Sequence, residues 1–222
     1  MFVDKQAEVK PPEILVRDRA FLIIDKPIGL PVHAGRAGGA SVEDFFQRWR
    51  RGRQGPWLAH RLDQDTSGCL VIALKKTFLL EAQALFAAGA VQKTYWAVVR
   101  GVPGEAAGVI DANLAKHTQE RSWKMVPDPA GQTAVTEWRV LGGQNDMSLL
   151  EFRPKTGRTH QIRAHAALLG HPIIGDAVYG GGAGAMQLLA RAISLPTTPP
   201  AAATAPVPAH MAANVEACGG AL

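Results

Sequence analysis

His60-Arg61-Leu62-Asp63-Gln64-Asp65-Thr66-Ser67-Gly68 runs directly into Cys69-Leu70-Val71-Ile72-Ala73-Leu74. The second stretch is a continuous apolar run closed by Lys75-Lys76, which predicts a buried β-strand. The polar nonapeptide is then a loop delivered onto a rigid strand edge, where scaffolds concentrate chemistry. Asp63 has a guanidinium two residues upstream and the hydroxyls of Thr66 and Ser67 just downstream. A carboxylate in that setting is a candidate nucleophile or general base. The plainer alternative is a turn whose polar side chains bond their own backbone, with Gly68 supplying an unusual φ.

Working outward, Glu13–Ile24 reads as a pair of strands broken near Arg17-Asp18-Arg19, and 25–31 as a turn-rich connector. Ser41 with Asp44 three residues on predicts a helix start, burying Phe45, Phe46 and Trp49 and fraying at Gly52. Thr77 is expected to cap a second helix through Phe86, stopped at Gly89. Lys93–Arg100 reads as another buried strand. Thr133–Leu141 and Met147–Arg153 alternate and form a hairpin around Gly142-Gly143-Gln144-Asn145-Asp146. After the sharp loop Pro154–Thr159, a helix is expected from His160 to Leu169. Gly180–Gly184 is a flexible link, since it lacks the lysine of a phosphate-binding loop.

The 222 residues divide into a loose arm (1–12), one folded domain (13–195) and a Pro/Ala-rich tail (196–222) expected to be poorly ordered, with at most short pieces on the body. A composition of 47% hydrophobic and 19% charged residues is that of a globular chain. No apolar run is long enough for a membrane span, and Met1–Gln6 lacks the build of a signal peptide. Two cysteines, Cys69 and Cys218, argue against a disulfide framework and for the cytoplasm. The net charge of +5 is unevenly placed: Arg48, Arg50, Arg51, Arg53 and Arg61 cluster just ahead of Asp63. Clustered arginine suits phosphate, although a solvated helix end would carry the same residues.

Three other constellations carry less. Asp65-Thr66-Ser67-Gly68 faintly echoes the aspartic proteases, which need a second carboxylate motif that is missing here. His160 and His165 lie five apart, off a shared metal-facing stripe and without Cys-x-x-Cys, so no metal is expected. Tyr95, in an apolar strand, is core filler by position alone.

Together, the segments resemble the RluA family of RNA pseudouridine synthases. His60-Arg61-Leu62-Asp63-x-x-Thr66-Ser67-Gly68, Lys93-Thr94-Tyr95 and Gly157-Arg158-Thr159-His160-Gln161-Ile162-Arg163-x-His165 occur in the family's order. Ile24–His33 resembles its opening segment, and Gly170–Gly180, with Gly175-Asp176-x-x-Tyr179-Gly180, its late one. The likeness spans about residues 13 to 195. With only about a dozen residues ahead of Glu13, the chain resembles the short members that lack an S4-type domain. The family's usual Leu-Leu-His-Ala here reads Leu188-Leu189-Ala190-Arg191.

The resemblance implies an α+β pseudouridine synthase core, a long bent mainly antiparallel sheet with flanking helices and loops. It implies isomerisation of a uridine in tRNA or rRNA, without cofactor; a monomer is expected. The implied catalytic residues are Asp63 as the essential carboxylate, Tyr95 against the target base and Arg163 as the partner of Asp63. Ile162 would line the base pocket and Arg61 would fill the space that the base vacates. Arg158, His160, Arg50, Arg51 and Arg53 are the further RNA-binding candidates. A glycosidase would want two carboxylates at a fixed separation; it and a non-catalytic RNA-binding module are the competing readings.

Overall fold

The computed structural model describes residues 10–35, 38–51, 53–119 and 122–222. Of the residues singled out above, 1–9 of the arm and Gly52 lie outside them. In chain order, β1 (Glu13–Arg17) and β2 (Phe21–Lys26) are followed by a 3-10 turn (Val42–Phe45) and α1 (Phe46–Trp49). Next come β3 (Trp57–Leu58), β4 (Ser67–Ala73), α2 (Lys76–Ala87) and β5 (Gln92–Arg100). Then follow β6 (Ala107–Asp111), β7 (Leu114–Gln119), β8 (Ser122–Pro127), β9 (Val135–Gln144) and β10 (Met147–Pro154). The chain ends in α3 (Gln161–Leu168), β11 (Leu188–Leu195), β12 (Ala201–Thr204) and α4 (Ala209–Ala217).

Ten strands form one sheet along the path β1-β2-β4-β11-β5-β10-β9-β6, with β12 paired to β11 and β3 to β4. The pairings are antiparallel except β4 with β11. This is the α+β, mainly antiparallel architecture expected. β7 and β8 form a separate hairpin. All seven residues of β4 are buried, as the apolar run requires. The hairpin of β9 and β10 turns on Asn145 and Asp146 alone, both at positive φ (53° and 59°). That two-residue geometry matches the twist of the flanking strands, so Gly142 to Gln144 stay in the ladder.

Side-chain alternation splits the core by face. Cys69, Val71, Val98, Leu149 and Leu189 pack on one face with Leu79 and Ala82 of α2 and Met211 and Val215 of α4. The other face carries two clusters. One joins Leu22, Ile24, Leu70 and Ile72 to Val42, Phe45 and Trp49; the other joins Ala97, Val99, Leu150 and Phe152 to Ile162 and Ala166 of α3. Tyr95 touches both, at their seam.

Several expectations need correction. The Ser41–Asp44 capping box is present, but it starts a 3-10 turn and a single α-turn that ends before Arg50. Helix α2 begins after Lys75 rather than at Thr77. The stretch 101–132, unassigned from its sequence, contributes three strands. The tail is not poorly ordered: β12 zips onto β11, and α4 buries Met211 and Val215 with Cys218 just beyond. Its run of alanines hid this, because small side chains leave no periodic signal yet fit closely against a neighbouring strand.

Gly68 sits on the parallel joint, paired with Ala190, at φ +106°. A Cβ there would press into the Ala190 carbonyl oxygen. Gly68→Ala should therefore cost about 2 kcal/mol, from strain at positive φ and the forced shift of β11. A urea midpoint equal to wild type would show that the joint yields.

Candidate active site

The loop ahead of β4 is pinned at several points. The Thr66 N–H donates to the Asp63 carbonyl (3.1 Å), closing a turn. Lys26 is fully buried, and its Nζ donates to the carbonyls of Leu30 (2.8 Å), Pro27 (3.0 Å) and Gln64 (3.0 Å). The Gln64 carbonyl also accepts from the Gly29 N–H. Burial pushes the Lys26 ammonium down to about 8, against the pull of Asp65, Asp63 and Asp25. The β2 turn and the Asp63 loop are thus held as one body.

His60 Nε2 accepts the Val71 N–H (3.0 Å), which requires an unprotonated ring. Burial, reinforced by the Lys93 charge, pushes this imidazole down to about 4. In the unfolded chain histidine protonates near pH 6.5. Between pH 6.5 and 4 the unfolded state therefore takes up a proton that the fold refuses. This contribution to stability is complete above pH 6.5 and is lost as the pH falls toward 4, by up to ~3 kcal/mol. Urea unfolding across that window should show the loss, and His60→Gln, an acceptor that does not titrate, should flatten it. An equal pH slope in the variant would exclude His60 as the cause.

On the facing side, α3 is locked by Gln161. Its Nε2 donates to the Val135 carbonyl (3.0 Å) and Thr136 Oγ1 (2.9 Å), and its Oε1 accepts from Thr156 Oγ1 and the Arg158 N–H. His160 stands outside the helix in left-handed backbone, φ 51°. Its ring stacks on Trp123 of β8 with centroids 4.7 Å apart, and its Nδ1 lies 3.3 Å from the Tyr179 hydroxyl. That hydroxyl accepts the Met125 N–H (2.8 Å), so the β7–β8 hairpin is docked against this wall.

Arg163, 6% exposed, holds Asp176 in a two-pronged pair: Nε to Oδ2 at 2.7 Å and Nη2 to Oδ1 at 2.9 Å. The Val178 and Tyr179 N–H groups also donate to Asp176 Oδ1. Burial pushes the Asp176 carboxyl up, but these bonds outweigh it and hold it below its usual range. The remaining fork, Arg163 Nη1, reaches Asp63 Oδ2 at 3.4 Å. The expected Arg163–Asp63 contact is thus present, but Asp176 is the stronger partner and sets the guanidinium's aim. His160 Nε2 lies 3.7 Å from the same Asp63 oxygen, and burial keeps its imidazole below the ordinary range despite that charge.

Between these walls lies a cleft of about 480 Å³, within the range of small-molecule sites. Asp63, Tyr95, Arg163, Arg61, Arg158, Ile162 and His160 all line it, with Lys93, Lys155 and Leu188. Asp63 is the one carboxylate among the described lining residues. Burial, then the Asp63 charge, push the Tyr95 phenol well up, so it stays protonated. Arg50, Arg51 and Arg53 do not line the cleft, contrary to the proximity expected from the sequence. Sequence reading missed Lys26, Trp123, Tyr179 and Asp176 as site builders. A buried arginine needs more acceptor oxygen than Asp63 alone offers, and that need was the available signal for Asp176.

Fold and site together define an enzyme class: one carboxylate among the described residues of a cleft edged with cations, on a mainly antiparallel sheet. The family model for RNA pseudouridylate synthase matches residues 20–168, and the chain belongs to that family. An uncharacterized RNA pseudouridine synthase of Zymomonas mobilis is 44% identical over 176 residues, covering 75% of this chain and 78% of that protein. The ribosomal large subunit pseudouridine synthase D of Pseudomonas aeruginosa is 38% identical over 178 residues, covering 76% of this chain and 53% of its own length. The chain likewise spans little more than half of several other relatives, such as 57% of an uncharacterized synthase of Synechocystis. Among solved structures, human RNA pseudouridylate synthase domain containing 4 superposes with a TM-score of 0.79 at 27% identity, covering 93% of each chain.

Proposed function

We infer that the chain converts a uridine in RNA to pseudouridine, with Asp63 as the reacting carboxylate. The observation that carries this is Asp63, the one carboxylate among the described residues of the cleft, held by Arg163 and lining it with Tyr95 and Ile162. Isomerisation breaks the N1–C1′ bond, turns the retained uracil over and forms a C5–C1′ bond. One carboxylate suffices, because no water needs activation on the opposite face. Attack at C1′ and removal of a ribose proton are both open to the same Asp63 oxygen. The two-carboxylate arrangement of most glycoside hydrolases is not formed here, because Asp176 is committed to Arg163.

The uridine must leave its stack to reach Asp63, at a cost of a few kcal/mol. Arg61, exposed at the rim, is placed to fill the gap, and Tyr95 offers the base a flat face. Because the Tyr95 phenol stays protonated, its part is stacking and hydrogen bonding rather than that of a phenolate base. Lys93, Lys155 and Arg158 would meet the phosphates on either side. The cleft is complete within one chain, which supports action as a monomer, and the free cysteines Cys69 and Cys218 suit a cytoplasmic setting. Ribosomal RNA is the first substrate to test, since the Pseudomonas relative carries that name; tRNA is the second.

The deciding experiment incubates the protein with ribosomal RNA and with tRNA transcripts, then measures pseudouridine and free uracil in the digests. Pseudouridine without uracil is expected. Released uracil would make the protein a glycosidase, and tight binding with neither product would make it a binding module.

A further inference from the structure

We propose that the arginine-rich surface at the opposite end of β4 from Asp63 is a second RNA-binding site, gripping the phosphate backbone away from the reacting uridine. This role presupposes the RNA activity inferred above.

The strand register places the two ends. Lys26 pairs with Gly68 beside the Asp63 loop, whereas Phe21 pairs with Ala73 at the other end. Seven residues of β4 at about 3.3 Å each separate the ends by about 20 Å. Three segments converge on the far end. The β1–β2 turn brings Arg17 and Arg19; Leu74 N–H bonds to the Ala20 carbonyl there (2.8 Å). The segment after α1 is fastened to that turn: Arg51 Nη1 donates to the Asp18 carbonyl (3.3 Å) and Arg17 Nη2 to the Trp49 carbonyl (3.4 Å). Arg50 and Arg53 flank Arg51 closely in the chain. The β4–α2 turn adds Lys75 and Lys76, and Lys76 Nζ lies 5.9 Å from the ring of Trp57, whose register partner is Ala73.

All seven of these cations are exposed, while Glu43 and Asp44 are engaged elsewhere and Asp18 braces its own turn. Asp18 accepts the Ala20 and Phe21 N–H groups, Glu43 pairs with His33 at 3.0 Å, and Asp44 caps Ser41. The face therefore carries net positive charge, with Asp18 the one carboxylate of the β1–β2 turn, and is rich in the planar forks that bond phosphate in pairs, around a half-buried tryptophan. A polyanion already docked in the cleft needs only about 20 Å of continuous backbone to reach it. RNA meets that condition by its own covalent continuity; a separate acidic protein or an anionic membrane does not.

The test compares wild type with a variant carrying Arg19→Ala, Arg50→Ala, Arg53→Ala and Lys75→Ala. Affinity is measured across salt for a long stem-loop RNA and for a loop oligonucleotide of a few nucleotides that fills only the cleft. Each lost phosphate contact removes about 0.7–0.9 from the slope of log K against log salt. The long RNA should show a slope flatter by about three units, or roughly 60-fold less loss of affinity between 50 and 200 mM salt. The short RNA should show equal slopes. Arg→Lys changes at the same three arginines should keep most of the slope, which separates charge from folding. Equal slopes on the long RNA, equal losses on both RNAs, or loss in the lysine variant would each overturn the proposal. Vesicles of phosphatidylserine that bind wild type but not the alanine variant, with the RNA slope unmoved, would assign the surface to lipid instead. Pseudouridine is scored in the same RNA with wild type. Its absence would overturn the enzymatic reading, while the slope comparison reports on the surface independently.

Discussion

Asp63→Asn should lower the single-turnover rate of pseudouridine formation by at least ~10³-fold, a rise of about 4 kcal/mol in the barrier. RNA affinity should stay within a few-fold. The amide keeps the shape of the side chain and its turn, because the closing bond runs from the Thr66 N–H to the Asp63 backbone carbonyl. It loses the negative charge that faces Arg163 and the ability to attack or accept a proton. Binding rests on the cations around the cleft, which the change leaves in place. A rate within about tenfold of wild type would remove Asp63 from the chemistry, and a large loss of affinity would recast it as a binding residue.

Asp176→Ala should destabilise the fold by about 3–5 kcal/mol, the cost of stranding a buried guanidinium. Arg163 would keep its 3.4 Å contact with Asp63 as its remaining ion pair among the described residues, and drawing Asp63 inward should also cut turnover. The informative partner is the double variant Arg163→Met with Asp176→Leu. Replacing a whole buried ion pair with apolar side chains is often neutral, so this variant should regain most of the lost stability. It should not regain activity, because the guanidinium facing the Asp63 carboxylate is then gone while only its loop and His160 still hold it. Chemical denaturation and single-turnover assays on the three proteins separate the two effects. A double variant as unstable as Asp176→Ala would mean that the cavity, not the stranded charge, sets the cost. An active one would mean that the pair does not position Asp63.

What could be read from the sequence follows from what each feature depends on. Strand β4 was legible because six consecutive apolar residues, Cys69 to Leu74, admit few other fates. The cleft residues Tyr95 and Arg163 were reached only through the likeness of their short segments to the RluA family, while Asp63 also stood out by its polar loop ahead of the strand. Of the arginines that cluster ahead of Asp63 in sequence, Arg61 lines the cleft while Arg50, Arg51 and Arg53 do not, since a strand length separates the two ends of β4. Neighbourhood along the chain does not say which end of a strand a loop returns to. Trp123 and Tyr179 met at His160 only through the docking of a separate hairpin, a contact across 37 and 19 residues that no local pattern encodes.

Strand β11 has a consequence for how the molecule assembles. It lies between β4 and β5, two strands from the first half of the chain, and holds them apart in the finished sheet. Until residues 188–195 have been synthesised, β4 and β5 have no shared neighbour, and the floor beneath Tyr95 cannot close. The contacts that join the halves, such as Leu189 with Ser67, span more than a hundred residues and carry the loop-closure cost of that separation. Folding should accordingly be slow for the size of the chain, in the millisecond-to-second range of non-local β topologies. During translation the exposed inner edges of β4 and β5 are open to pairing with other chains until the late strand arrives to fill the gap.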